Sequence, residues 1–101
     1  MERAIGILKR ELKSLEERAE YFKKQIEYNK KELNFFEGKD FRDYIERTYN
    51  EFDKEHIYDS NREKIYCLRY NLEKHKDNLN SCYEVIEEVK TAIKILAGKS
   101  D

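Results

Sequence analysis

Two stretches of the chain carry apolar residues at alternating spacings of three and four, the pattern of a coiled-coil seam. In the first stretch the seam positions are Ile5, Leu8, Leu12, Leu15, Ala19, Phe22, Ile26, Asn29, Leu33 and Phe36. In the second they are Ile65, Leu68, Leu72, His75, Leu79, Cys82, Ile86, Val89, Ile93 and Leu96. The 101 residues include no proline and three glycines, fewer turn residues than a β-rich or α/β fold needs. The chain is therefore predicted to be all-α.

The pattern predicts one helical domain over residues 1–101, with helices over about 2–37, 41–57 and 61–97. The two long helices are matched in length, and antiparallel pairing of residues whose numbers sum to 101 fills every layer of the seam. The predicted architecture is a long antiparallel helical hairpin, coiled-coil-like, with a short third helix at the hairpin end.

Local signals suggest where these helices end. Gly38 and Gly98 are each expected to stop a helix in the left-handed conformation. Asp40 is expected to cap the short helix, and the run from Ser60 to Glu63 reads as a capping box that starts the last one. The polar seam residues Asn29 and His75 are interpreted as setting the register, with a ligand-binding notch as the alternative.

Charge and motifs exclude several function classes. The 21 basic and 22 acidic residues nearly cancel, so no global attraction to nucleic acid or anionic membranes is expected. We find no signal peptide, membrane span, Gly-rich phosphate loop or metal motif, and expect no enzyme activity, cofactor or bound metal. Cys67 and Cys82 lie roughly 22 Å apart along one predicted helix, too far for an internal disulfide. Reduced thiols fit a cytoplasmic protein.

The aromatic residues outnumber the seam positions that could bury them. A second apolar stripe lies nearly opposite the seam of the first helix, formed by Ile7, Tyr21, Tyr28 and Phe35. A helix that is apolar on two faces packs against two neighbours. This stripe predicts self-association into a dimer or higher homo-oligomer, and packing inside the monomer is the alternative.

The segment from Lys39 to Asp59 has seven acidic residues against four basic ones and is rich in aromatic residues. Its aromatic side chains can anchor in a partner protein while its carboxylates attract a basic surface. The predicted partner-binding residues are Phe41, Tyr44, Tyr49, Phe52, Asp43 and Glu46. The alternative is that the aromatic residues only close the hairpin end.

A patch that mixes lysine with tyrosine offers a different function. Charge and base stacking at such a patch can hold nucleotides or nucleic acid. Its residues are Lys23, Lys24, Lys30, Lys31, Tyr66, Arg69, Tyr70 and Lys74. Interleaved glutamates favour an ordinary solvated face instead. A third hypothesis is a coiled-coil scaffold whose only role is assembly.

The sequences near the two ends of the chain resemble those of a class of small proteins. The opening Glu-Arg-Ala-Ile-Gly-Ile-Leu-Lys-Arg-Glu-Leu and the closing Val-Lys-Thr-Ala-Ile-Lys-Ile-Leu resemble small uncharacterised coiled-coil proteins of Gram-positive phages and prophages. The resemblance covers both long helices and carries no functional residue across. It implies a protein of the bacterial host cytoplasm that binds and blocks a host protein, such as an antiviral defence enzyme.

Overall fold

The computed structural model describes residues 2–99, which form three α-helices. Helix α1 is Glu2–Glu37, α2 is Lys39–Thr48 and α3 is Glu51–Lys99. The predicted fold class is confirmed: the chain is all-α, a long helical hairpin with a short helix at its end. The bounds of α1 coincide with those predicted from its seam.

The described residues form two compact units. The first contains the chain up to Lys24 and from Lys76 onward, and the second is Gln25–His75. In the first unit, Leu15, Ala19, Cys82 and Ile86 are buried as one cluster, with Leu12, Phe22, Leu79 and Val89 packed around it. All eight residues come from the two predicted seams, one half from α1 and the other from α3, so the seam forms the core of this unit.

The second unit is built from the end of α1, all of α2 and the beginning of α3. Its seam residues Ile26, Asn29 and Leu33 are buried, and Ile45 of α2 is only 2% exposed. The Asn29 side-chain Nδ2 is buried without a hydrogen-bond partner among the described residues. An unsatisfied buried amide lowers stability, which fits a residue that sets the register of the helices. His75, the other polar seam residue, is half-buried.

The middle of the chain differs from its prediction. No single helix spans 41–57, because α2 ends at Thr48 and Tyr49 is extended, with φ −115° and ψ 153°. Asn50 then starts α3: its Oδ1 accepts a hydrogen bond from the Asp53 backbone N–H at 2.8 Å, which satisfies a free donor of the first helical turn. The last helix therefore begins at Glu51 instead of residue 61.

The predicted capping box at Ser60 does not cap, because the chain around it is already helical. A capping box needs a non-helical residue at its first position, and nothing before Ser60 interrupts α3. The side chain of Asn61 is used elsewhere: its Nδ2 donates to the backbone carbonyl of Phe36 at 3.0 Å. This bond links α3 to the end of α1, where carbonyl groups have no partner within the helix.

Helix α1 ends before Gly38 as predicted, but the left-handed conformation predicted for Gly38 and Gly98 and the cap predicted for Asp40 are not found among the described residues. Among residues 2–99 no glycine has a positive φ, and Gly98 lies inside α3. The residue that precedes α2 is Gly38 and not Asp40, so no side chain caps the start of this helix. A Cβ atom on Gly38 would lie 2.7 Å from the carbonyl oxygen of Asn34. Gly38 is therefore required by the close approach of backbone at the α1–α2 junction, not by a left-handed turn.

Candidate partner-binding surface

Helix α2 is held in the second unit by its apolar side. Ile45 is its buried residue, and Phe41 packs against the C-terminal end of α1. The ring centroid of Phe41 lies 5.3 Å from that of Phe35 and 5.3 Å from that of Phe36, at angles typical of favourable aromatic pairs. Phe41 is half-buried in this packing, so it positions α2 instead of projecting towards a partner.

A hydrogen-bond network fastens α2 to α3. Glu46 accepts hydrogen bonds from Lys54 Nζ at 2.8 Å and from the Tyr58 hydroxyl at 2.7 Å. Lys54 Nζ also donates to Glu51 at 3.1 Å. These bonds hold the pKa of Glu46 below its ordinary value, and the hydrogen bond to Glu46 raises the pKa of both Lys54 and Tyr58. Glu46 is thus hydrogen-bonded within the chain. Its donors Lys54 and Tyr58 adjoin the candidate surface, and no sequence pattern indicated them.

The remaining aromatic residues of the predicted surface project outward. Tyr44 is 49% exposed, Tyr49 is 37% exposed and Phe52 is 70% exposed, and we call these three residues the aromatic face. The rings of Tyr44 and Tyr49 are in edge contact, with centroids 6.2 Å apart. Phe52 makes a similar edge contact with the His56 ring at 4.7 Å. The aromatic face is therefore preorganised by pairwise contacts and partly exposed, with Phe52 the most exposed of the three.

Carboxylates accompany the aromatic face. Asp43 is exposed, and Arg47 Nε donates to its backbone carbonyl at 3.2 Å and not to its carboxylate. Tyr44 raises the pKa of its neighbour Tyr49, and the negative charge of Asp53 adds to that effect. One carboxylate of this acidic segment, that of Asp53, thus acts on the hydroxyl group of Tyr49.

The predicted self-association residues are exposed in both units. In the first unit Ile7 is 51% and Tyr21 is 55% exposed; in the second, Tyr28 and Phe35 are each 57% exposed. Phe35 also touches Phe36 by its ring edge, with centroids 5.0 Å apart. None of the four is buried by packing inside its unit, so their apolar surface remains available.

The lysine–tyrosine residues are divided between the units. In the first unit, Lys24 is exposed, and Lys23 Nζ lies 5.6 Å from the ring centroid of Tyr83, whose hydrogen bonding raises the pKa of Lys23. In the second unit Arg69 is paired with Glu37 at 2.8 Å. Exposed there are Lys30, Lys31, Lys74, Tyr66 and Tyr70, the two tyrosines by 72% and 60%. The ion pair of Arg69 offsets part of the positive charge that phosphate binding would use.

The described residues also bear on metal binding, on the two thiols and on membrane insertion. No group of three His, Cys, Asp or Glu side chains in residues 2–99 is arranged to hold a metal ion. Cys67 is an exposed free thiol, and Cys82 is buried. None of the three helices, over the same residues, is apolar and long enough to span a membrane.

Comparison of the chain with protein-family models, curated proteins and solved structures found no match.

Proposed function

We propose that this chain is a non-enzymatic helical protein-binding module, and that its aromatic face docks on a basic surface of a partner protein. The observation that supports it is Phe52, a large apolar side chain that is 70% exposed at the start of α3. Burying a side chain of this size stabilises a complex by about 2 kcal/mol. The acidic residues of segment 39–59 supply attraction to a positively charged partner and speed its approach.

The proposal is tested by capture from a cell lysate with matched variants. Tyr44→Ser combined with Phe52→Ser should abolish capture of the specific partner, while both helices keep their far-ultraviolet circular dichroism signal. Tyr66→Ser combined with Tyr70→Ser removes two aromatic rings that are at least as exposed, from another part of α3, and should leave capture unchanged. Loss of the partner only in the second variant would assign binding to the other surface and overturn the proposal.

The resemblance to small phage proteins suggests a sharper form, in which the chain inhibits a host defence protein. In that case, expressing the chain in a bacterium with antiviral defences should restore phage plating. The Tyr44→Ser, Phe52→Ser variant should fail to restore it. If this variant still restores phage plating, inhibition does not depend on the aromatic face.

We also propose that the chain forms homo-oligomers through Ile7, Tyr21, Tyr28 and Phe35. Tyr21→Lys combined with Tyr28→Lys should leave the helices folded, because both side chains are more than half exposed. Two aromatic contacts per chain become like charges across a symmetric interface, so sedimentation should show a smaller particle. An unchanged sedimentation coefficient would contradict this interface, as would a parent chain that is already monomeric at high concentration.

A second candidate function is nucleotide or nucleic-acid binding, favoured by the exposed rings of Tyr66 and Tyr70 with the exposed Lys74 nearby in sequence. Titration with nucleotides, single strands and duplexes at low and moderate salt would reveal it. Binding through phosphates must weaken as salt rises. If neither function is observed, the scaffold hypothesis is left.

A further inference from the structure

An open groove of about 580 Å³ lies within the second unit, between the end of α1, helix α2 and the first turns of α3. Pockets that bind small molecules fall in the range of roughly 300–1,000 Å³. Phe36, Phe41 and Ile65 supply the apolar part of its wall, and Arg42, Arg62 and Arg69 supply three guanidinium groups. No sequence pattern indicated this combination, because the arginines come from two different helices.

The three arginines differ in their partners. Arg69 is paired with Glu37 at 2.8 Å, and Arg62 is paired with Asp59. The second carboxylate of the wall, Glu46, is occupied by Lys54 and Tyr58. Arg42 has no carboxylate at ion-pair distance among residues 2–99. The charge of Arg42 acts on Glu46 and helps to lower the pKa of that carboxyl, but its guanidinium donors are not held in an ion pair among these residues.

The pair between Arg62 and Asp59 is open to exchange. Both side chains are largely exposed, at 76% and 66%. Exposed ion pairs contribute little to stability, so Arg62 can turn towards a stronger anion at small cost. A guanidinium presents paired N–H donors that match the two oxygens of a carboxylate or phosphate.

We propose that this groove binds a small organic anion, whose carboxylate or phosphate group accepts hydrogen bonds from Arg42 and whose flat apolar body lies against Phe36 and Phe41. Arg62 is the second donor, recruited from Asp59. This site is independent of the aromatic face, since none of Tyr44, Tyr49 and Phe52 lines the groove.

The test uses probes that separate charge from apolar body. 2-Naphthoate and 2-naphthyl phosphate carry both features, 2-naphthylmethanol carries only the body, and acetate and inorganic phosphate carry only the charge. Titrations followed by amide chemical shifts should show binding of the two naphthyl acids, at least about tenfold tighter than either partial probe. The preferred acid identifies the anionic group, and either preference supports the proposal.

Matched variants locate the site. Arg42→Ala should weaken binding of the preferred acid by about tenfold or more, because a hydrogen bond between charged groups is lost. Arg47→Ala, an arginine of the same helix outside the groove, should leave it unchanged. The proposal is overturned if 2-naphthylmethanol or the bare ions bind as tightly as the preferred acid. It is also overturned if Arg42→Ala binds that acid with unchanged affinity.

Discussion

Replacing Ile45 with alanine tests what holds α2 in place. Ile45 is 2% exposed and is the buried residue of a ten-residue helix. An isolated helix of fewer than about 12–15 residues is marginal in water, so α2 depends on tertiary packing. The other contacts that fasten it are the half-buried ring of Phe41 and the exposed hydrogen bonds of Glu46.

The magnitude follows from the burial. The change removes three carbon atoms that are almost fully out of water, worth about 2.4 kcal/mol at about 0.8 kcal/mol for each. A residual cavity adds to this, and measured losses for such changes fall at about 2–5 kcal/mol. A loss of about 2 kcal/mol that appears as local opening would speed exchange of the α2 amide hydrogens by about 30-fold.

Hydrogen exchange of the α2 amides and urea unfolding together measure the effect. The matched control is Ile95→Ala, the same chemical change at a position of α3 that is 53% exposed, where a change within about 0.5 kcal/mol is expected. If Ile45→Ala costs no more than Ile95→Ala, or if α2 keeps its protection, Ile45 is not the anchor of α2.

Three further predictions concern stability. Ile86→Asp should abolish folding, since it places a lone carboxylate at a position that is 5% exposed; a retained cooperative melt would refute the antiparallel seam. Asn29→Leu should raise the midpoint of thermal unfolding, because it removes a buried amide with an unpartnered Nδ2, worth about 1 kcal/mol or more; a lower midpoint would show that the amide is satisfied. The hydrogen bonds from Lys54 and Tyr58 hold the folded pKa of Glu46 below its ordinary value, so its contribution to stability is present above that ordinary value and is lost as pH falls through the folded pKa. The stability difference between parent and Glu46→Gln should accordingly be largest near neutral pH and shrink in acid, as followed by urea unfolding; a difference that does not depend on pH would contradict the Lys54 contact.

The candidate surface was only partly predictable. The acidic and aromatic character of segment 39–59 is a property of composition, and Tyr44, Tyr49 and Phe52 are exposed as that character suggested. Which of its residues are engaged within the chain depends on where α2 lies. Glu46 contacts Tyr58, 12 residues further along the chain, and no periodic pattern encodes that contact.

The class of fold and the core-facing side of each long helix could be predicted from the periodicity of the apolar residues. Every predicted seam position, from Ile5 to Phe36 and from Ile65 to Leu96, is buried or half-buried in the structure. Periodicity achieves this because the side of a helix on which a residue lies depends only on its spacing from its neighbours in the same helix.

The helix boundaries in the middle of the chain, and the residues that surround them, could not be predicted from periodicity. Asn50 starts α3 although Ser60 carries the stronger capping signal, and Gly38 is needed for backbone clearance instead of a left-handed turn. More than one local motif could start α3. Which of them does so depends on contacts between residues far apart in the chain, such as Asn61 with Phe36 and Lys54 with Glu46. The first contact joins α3 to α1 and the second joins α3 to α2, so their partners cannot be read from spacing along one helix.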